Sequence, residues 1–310
     1  MFGMKAVVLP RYGGIQDLES TDVPEPPHGP NEVLIALKAT SVNPVDWKVG
    51  AGYLDSFLPG EFPLIPGWDA AGTIVETGSA VTGCRVGDDV LGYVRRPVVK
   101  WGTYAEYTVA EPGMIAPKPD VVDWETAAAL PLVGLTALQS LDAVRVKQGD
   151  TVLVHAAAGG VGSVAVQIAK ARGARVIGTA STSNHDYLLS LGVEPVEYGN
   201  GLLERLRGLA PDGIDSALDA VGRGEVDLSI EAGADPGRVV SIADPAVREK
   251  GGKYVFVEPN ADDLRTLTDL IEAKRLTVPV TATFPLDRAA EAWEASQTGR
   301  TRGKIVLTIA

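Results

Sequence analysis

A chain of 310 residues allows one large domain or two ordinary ones, and a composition of 45% apolar and 22% charged residues allows a substantial core. A net charge of −12 and a pI of about 4.8 exclude a basic nucleic-acid surface and do not suit an anionic membrane face. Cys84 is the only cysteine, which excludes an intrachain disulfide and a four-cysteine zinc lobe.

Met1 to Pro10 reads as a first strand rather than a leader. No run reaches the roughly 18 apolar residues of a membrane span, so a cytoplasmic protein is expected. Short alternating runs follow at Lys5–Leu9, Glu32–Ala39, Gly72–Glu76 and Tyr104–Val109. Turn signals at 24–27, 28–31, 78–80 and 87–89 separate them, which predicts a β-rich first domain over residues 1–122. His28, beside a proline turn, is expected to face solvent. Trp124–Ala143 has helical spacing interrupted by Pro131 and Gly134. Strand and helix signals then alternate: Thr151–Ala156, Gly162–Arg172, Arg175–Ala180, Asn184–Leu191, Ile214–Asp219 and Arg238–Ile242. That rhythm predicts a doubly wound parallel sheet over residues 123–276. Asp287–Gln297 reads as a helix and Gly303–Ile309 as an apolar strand, so residues 277–310 are expected to return to the first domain.

The strongest local signal is Thr-Val-Leu-Val-His-Ala-Ala-Ala-Gly-Gly-Val-Gly at 151–162. A strand enters a glycine turn and then a helix. Ala157, Gly159 and Gly162 fill the three positions of the dinucleotide fingerprint, with Ala157 departing from its first glycine. Gly159 lets backbone approach a pyrophosphate, Gly162 lets the helix pack close, and the helix start supplies N–H groups. An acidic exterior does not forbid this ligand, because local donors hold its phosphates. NAD readers place a carboxylate about 20 residues on, at the end of the second strand. Here that stretch runs Ser181-Thr182-Ser183-Asn184-His185, and no carboxylate comes before Asp186. Ser181, Asn184 and His185 suit a 2′-phosphate, so the reading leans to NADPH. These residues also cap the helix that begins near Asn184.

The loop 157–162 resembles the nucleotide loop of the quinone oxidoreductases in the medium-chain dehydrogenase/reductase superfamily. Ala129–Ala137, Ser41–Lys48, Pro63–Gly72 and Gly303–Leu307 match the same family in its order. The resemblance implies a GroES-like β-barrel domain formed by both chain ends and a Rossmann domain, with the active site in the cleft between them. By residue match it implies that Asn43 and Tyr53 face nicotinamide and substrate, and that Thr136 touches the nicotinamide end. Ala158, Gly159, Gly160, Val161, Gly162, Val221 and Ile242 would line the cofactor. Tyr198 would lie near the 2′-phosphate, with Arg302 a further phosphate ligand, and His185 stands where some relatives carry a phosphate-binding Lys. A homodimer is implied too, with Tyr254–Val257 as its candidate edge strand.

The zinc alcohol dehydrogenases of the superfamily have Cys where Asn43 stands and His-Glu where Trp68 and Asp69 stand. Trp cannot ligate a metal and Asn lacks a thiolate, so zinc is not expected. Without a Lewis acid, simple ketones are poor acceptors, whereas quinones and conjugated enones already spread the charge that arrives with hydride. Asn43 and Tyr53 are the candidate donors to that charge. Each has another reading: Asn43 satisfies loop backbone, or Tyr53 packs as a cleft wall. Asp46 and Lys48 are expected to orient their loop, and His155 to be a hydrogen-bonded core residue. The leading reading is an NADPH-dependent quinone or enone reductase. The alternatives are an enoyl or alkenal reductase tailoring a secondary metabolite, or an NADPH-binding protein without turnover.

Overall fold

The computed structural model describes residues 3–299 and 301–310. Two compact units emerge: Met1–Leu132 with Glu258–Glu272 and Val278–Ala310, and Val133–Val257 with Ala273–Thr277.

In the first unit, strand Val33–Val42 has three antiparallel neighbours. Asp69–Thr77 takes one edge. On the other edge, Tyr107–Ala110 pairs with Val33–Ala36, and Lys304–Thr308 pairs with Ala39–Val42. A strand so enclosed is buried along most of its length, which suits its β-branched and aliphatic residues. Its alternate residues Val33, Ile35 and Leu37 share one core with Ala70, Ile74, Val90, Ala110, Ile115 and Ile309. Val280–Pro285 runs parallel to the last strand. Asp89–Tyr93 and Ile115–Pro117 complete the seven-stranded sheet. Helix Trp124–Ala129 packs on Val33–Val42 and Asp69–Thr77. Its Asp123 cap accepts from the Thr126 amide at 2.8 Å, and its buried side is Ala127, Ala128 and Ala129, small enough for close approach. Pro131 ends the helical reading of 124–143 as one piece. It has no N–H to give, so a second helix, Pro131–Ala143, starts there. His28 is only partly exposed, its ring 3.6 Å from the Glu76 carboxylate.

The second unit holds a six-stranded parallel sheet. Its order is Glu194–Glu197, Arg175–Ala180, Thr151–Val154, Ser216–Asp219, Val239–Ser241, Lys253–Tyr254. In chain order that is 3-2-1-4-5-6, the doubly wound arrangement with its switch point beside the first strand. Helix Gly160–Ala171 lies on the first two strands, burying Val164, Val166 and Ile168. The expected edge strand Tyr254–Val257 is shorter and starts earlier. Its partner ends at Ser241, so the ladder closes with the Val255 amide on the Ser241 carbonyl, and Val255 to Val257 lie outside the strand.

Candidate active site

The parallel unit gathers its loops at the carboxyl ends of the strands, where register aligns Val154 with Gly178 and Leu218, and Asp219 with Ser241. After the first strand, Ala156 takes a left-handed turn with φ 53°. The turn is tied to the second strand through Ala156 N–H to Thr179 Oγ1 at 3.0 Å and Ala157 N–H to Thr179 O at 2.9 Å. Gly159 caps helix Gly160–Ala171, whose first-turn amides have no carbonyl partner within the helix. A Cβ at Gly162 would stand 2.2 Å from the Ala156 carbonyl oxygen, so only glycine fits against the turn. Amides at a helix start beside a bare backbone turn suit a pyrophosphate.

Past the second strand, Ser181 and Ser183 hydroxyls lie 2.9 Å apart, and Asn184 Nδ2 donates to Ser181 Oγ at 3.2 Å. His185 Nε2 is a buried polar atom with no partner. Tyr198 is exposed beyond the third strand. The loops after strands four and five carry Val221, exposed, and Ile242, half-buried. Asp219 shapes both loops. Its Oδ1 accepts from the amides of Val221 at 2.8 Å and Gly222 at 2.9 Å, and its Oδ2 accepts from Ser241 Oγ at 2.7 Å. Thr179, Asp219 and Ser241 are positioning residues that sequence reasoning missed; a carboxylate closing an apolar strand was their one signal. Thr136 is buried on helix Pro131–Ala143. His155 is a buried core residue. Its Nε2 lies 2.9 Å from Ser229 Oγ, and burial pushes its pKa down to about 4, so it is neutral.

The first unit holds a buried polar cluster. Asn43 opens helix Pro44–Gly50, with Pro44 in the first turn and Asp46 closing a capping box through the Asn43 amide at 2.8 Å. Asn43 Nδ2 donates to Asp69 Oδ2 at 2.7 Å, and its Oδ1 accepts from Lys304 Nζ. Asp69 also accepts from Ser41 Oγ at 2.5 Å and from the Leu132 amide at 2.7 Å. Lys304 Nζ lies 3.9 Å from Asp69 Oδ2 and donates to the Val42 carbonyl at 3.1 Å. The pairing of Ile305 with Val42 is what brings Lys304 beside Asn43. Burial raises the Asp69 carboxyl and lowers the Lys304 ammonium, and each group pulls the other back. Asp46 accepts from Tyr104 OH at 2.9 Å, and Trp293 Nε1 donates to that hydroxyl at 3.1 Å.

The chain matches two family models: the alcohol dehydrogenase GroES-like domain at residues 29–120 and the zinc-binding dehydrogenase domain at residues 191–307. It is 33% identical to the chloroplast envelope quinone oxidoreductase homolog of Arabidopsis thaliana, over 95% of each chain. It belongs to the quinone oxidoreductase-like family of the medium-chain dehydrogenase/reductase superfamily. The NADPH-dependent alkenal/one oxidoreductase of Arabidopsis thaliana is 34% identical, over 98% of this chain and 79% of that one. The solved quinone oxidoreductase of Coxiella burnetii is 33% identical with a TM-score of 0.88, covering all of both chains. As a family member the chain is an oxidoreductase of nicotinamide-dinucleotide fold, with a Rossmann unit and a GroES-like unit, acting on a small molecule.

One family model is described as zinc-binding, and the residues here do not fit that ion. The Asn43 carboxamide is spent on Asp69 and Lys304. Trp68 packs edge-on against Tyr93, centroids 6.1 Å apart. An ammonium already stands beside Asn43 and Asp69, and it would repel a second cation. Tyr53 is different in kind. It is 72% exposed, in the turns after helix Pro44–Gly50, and its amide bonds to the Lys48 carbonyl at 3.0 Å. Arg302 is exposed in the first unit, two residues before the last strand begins.

Proposed function

We propose that this oxidoreductase uses NADPH to reduce a quinone or an α,β-unsaturated carbonyl, without a metal. The carrying observation is the Lys304–Asn43–Asp69 cluster, whose donors leave nothing to ligate a Lewis acid. An acceptor whose own conjugation spreads the incoming charge suits such a site, and relatives named for quinones and for alkenals and enones point the same way.

When bound, NADPH supplies the hydride. In this reading the amides of Ala158, Gly159, Gly160, Val161 and Gly162 hold the pyrophosphate. Ser181, Asn184, His185 and Tyr198 hold the 2′-phosphate, with Arg302 a further anion ligand. Thr136, Val221 and Ile242 orient the nicotinamide end. The partnerless Nε2 of His185 and the lack of a carboxylate from 181 to 185 support NADPH over NADH. Tyr53 carries the exposed hydroxyl that donates to the developing oxyanion. Asn43, the other candidate donor, has its carboxamide occupied by Asp69 and Lys304, so in this reading it opens helix Pro44–Gly50, which Tyr53 follows, and Tyr53 alone donates.

The test is NADPH oxidation against a panel of quinones, enones and alkenals. Turnover of conjugated acceptors, undiminished by chelators, is expected. Failure with every member while NADPH binds would favour a binding protein without turnover. The same reading includes a cytoplasmic homodimer paired through the Lys253–Tyr254 edge. Light scattering at twice the 32.4 kDa chain mass is the expected result. Among the described residues, no helix is long and apolar enough to cross a membrane.

A further inference from the structure

Half-buried Tyr12 stands outside the reaction described above, yet the segment from Gly52 to Phe62 is built around it. Its hydroxyl accepts from the Gly60 amide at 2.8 Å and donates to Asp55 Oδ1. Phe62 meets its ring edge-on, with centroids 4.7 Å apart and planes at 88°. At the start of the segment, Gly52 has φ +78°, and a Cβ there would stand 3.2 Å from Tyr12 Cγ. Tyr12 is itself fixed by its neighbour: the Gly13 amide bonds to the Gly50 carbonyl at 2.8 Å, at the end of helix Pro44–Gly50. One side chain thus ties both ends and the middle of a loop that has a single deeply buried anchor, Leu58.

That loop carries two of the most exposed aromatic side chains of its unit, Tyr53 at 72% and Phe57 at 53%. The two lie four residues apart in a run of turns closed by Leu58 N–H to Leu54 O at 2.8 Å. Exposed aromatic rings on a pinned loop form a surface for a flat conjugated molecule. Without its pin, the loop would have to be ordered each time a ligand arrived, and affinity would fall by that ordering cost.

We propose that Tyr12 is a positioning residue that holds the 52–62 loop as one wall of the acceptor site. It sets affinity for planar conjugated acceptors and leaves the transfer step alone. This inference rests on the reading of Tyr53 given under the proposed function.

Tyr12→Phe keeps the ring and removes both hydroxyl bonds. The Michaelis constant for 1,4-naphthoquinone is expected to rise on the order of fivefold, because both lost bonds lie near the surface and water offsets most of their weight. The turnover number should stay within about twofold, because a bound acceptor orders the loop and leaves Tyr53 where the parent holds it, and NADPH affinity should not move, because the residues assigned to the cofactor lie elsewhere in the chain. Amides of 53–60 should exchange deuterium faster, with the rest of the unit unchanged. Asp55→Asn keeps an oxygen acceptor and should behave as the parent, while Asp55→Ala should reproduce part of the loss. A merely structural role would lower turnover, NADPH affinity and melting temperature together, and that pattern overturns the proposal. So does unchanged exchange in Tyr12→Phe, or faster exchange with an unmoved Michaelis constant. Fluorescence titration with 1,4-naphthoquinone separates this from the reaction itself. A parent chain that binds the quinone without reducing it refutes the reaction and leaves the fivefold binding difference to decide Tyr12. A parent that does neither overturns both.

Discussion

Replacing Asp46 with Asn should change how stability depends on pH, and the structure sets the size of the change. Asp46 is 2% exposed. Its Oδ2 takes both donors, the Asn43 amide and the Tyr104 hydroxyl, while Oδ1 is buried with no partner. Burial pushes the carboxyl from its ordinary 3.8 up to about 7, against the hydrogen bonds from Asn43 and Tyr104, with Asp69 adding to the rise. A raised acid holds its proton longer in the folded chain than in the unfolded one. Its stabilising contribution is therefore full below about pH 3.8 and is lost as pH climbs to about 7. A single proton difference gives a slope of about 1.4 kcal/mol per pH unit, which amounts to a few kcal/mol across the window. Asparagine cannot ionise, so that slope disappears from its curve. Its amide nitrogen takes the place of Oδ1, where the protonated acid already lacks an acceptor, so asparagine adds one further unpaired N–H, a pH-independent cost of about 1–3 kcal/mol. The variant should be less stable than the parent near pH 4.5 and equal or more stable near pH 8. Urea melts followed by circular dichroism at fixed ionic strength measure the difference, in which titrating groups away from Asp46 cancel and only its neighbours Asp69 and Lys304 respond to the change. A difference that does not vary with pH would refute the reasoning.

Lys304→Met strands the Asp69 charge and should cost about 3–5 kcal/mol in urea melts, with Asp69→Asn restoring part of it. Gly162→Ala puts a methyl 2.2 Å from the Ala156 oxygen; the turn must shift to make room, so calorimetry should show NADPH affinity down at least about tenfold and the melting temperature should fall with it. Ser181→Asp should move cofactor preference towards NADH by about tenfold or more in comparative titrations; an unchanged ratio would take the 2′-phosphate away from this loop. Tyr53→Phe should lower the turnover number for enones about tenfold to a hundredfold without altering NADPH affinity. Unchanged turnover would make Tyr53 a packing residue.

The parallel sheet was legible because its strands are short apolar runs, and Arg175–Ala180 begins and ends where its residues suggest. Helix Gly160–Ala171 starts two residues before the apolar spacing does, since glycines give periodicity nothing to register. Helix Pro44–Gly50 was harder to see. Its signs were an Asn-Pro start and Asp46 three residues on, a capping pattern inside a stretch noticed only for its family likeness. Strand Glu194–Glu197 is half charged and shows no apolar alternation, whereas helix Ala261–Glu272 carries helical spacing at Ala261, Leu264, Leu267 and Ile271 that was open to reading. Most of the candidate cofactor residues follow strand ends and so could be placed from local pattern. The Asn43 cluster could not, because Asp69 is 26 positions away and Lys304 is 261. Only strand register brings them together, and no local window contains it.

The pairing of Lys304–Thr308 with Ala39–Val42 orders events during synthesis. Until that late strand leaves the ribosome, Val33–Val42 keeps an open edge along its second half, and Asn43 and Asp69 wait in an apolar setting without their cation. The parallel unit, encoded between the two halves, is complete by then and closes the long excursion at an entropic cost that grows only with the logarithm of its length. A growing chain would thus carry a finished nucleotide fold beside an unfinished partner. An open strand edge in that interval is what a chaperone would bind, and what a second nascent chain would capture if none did.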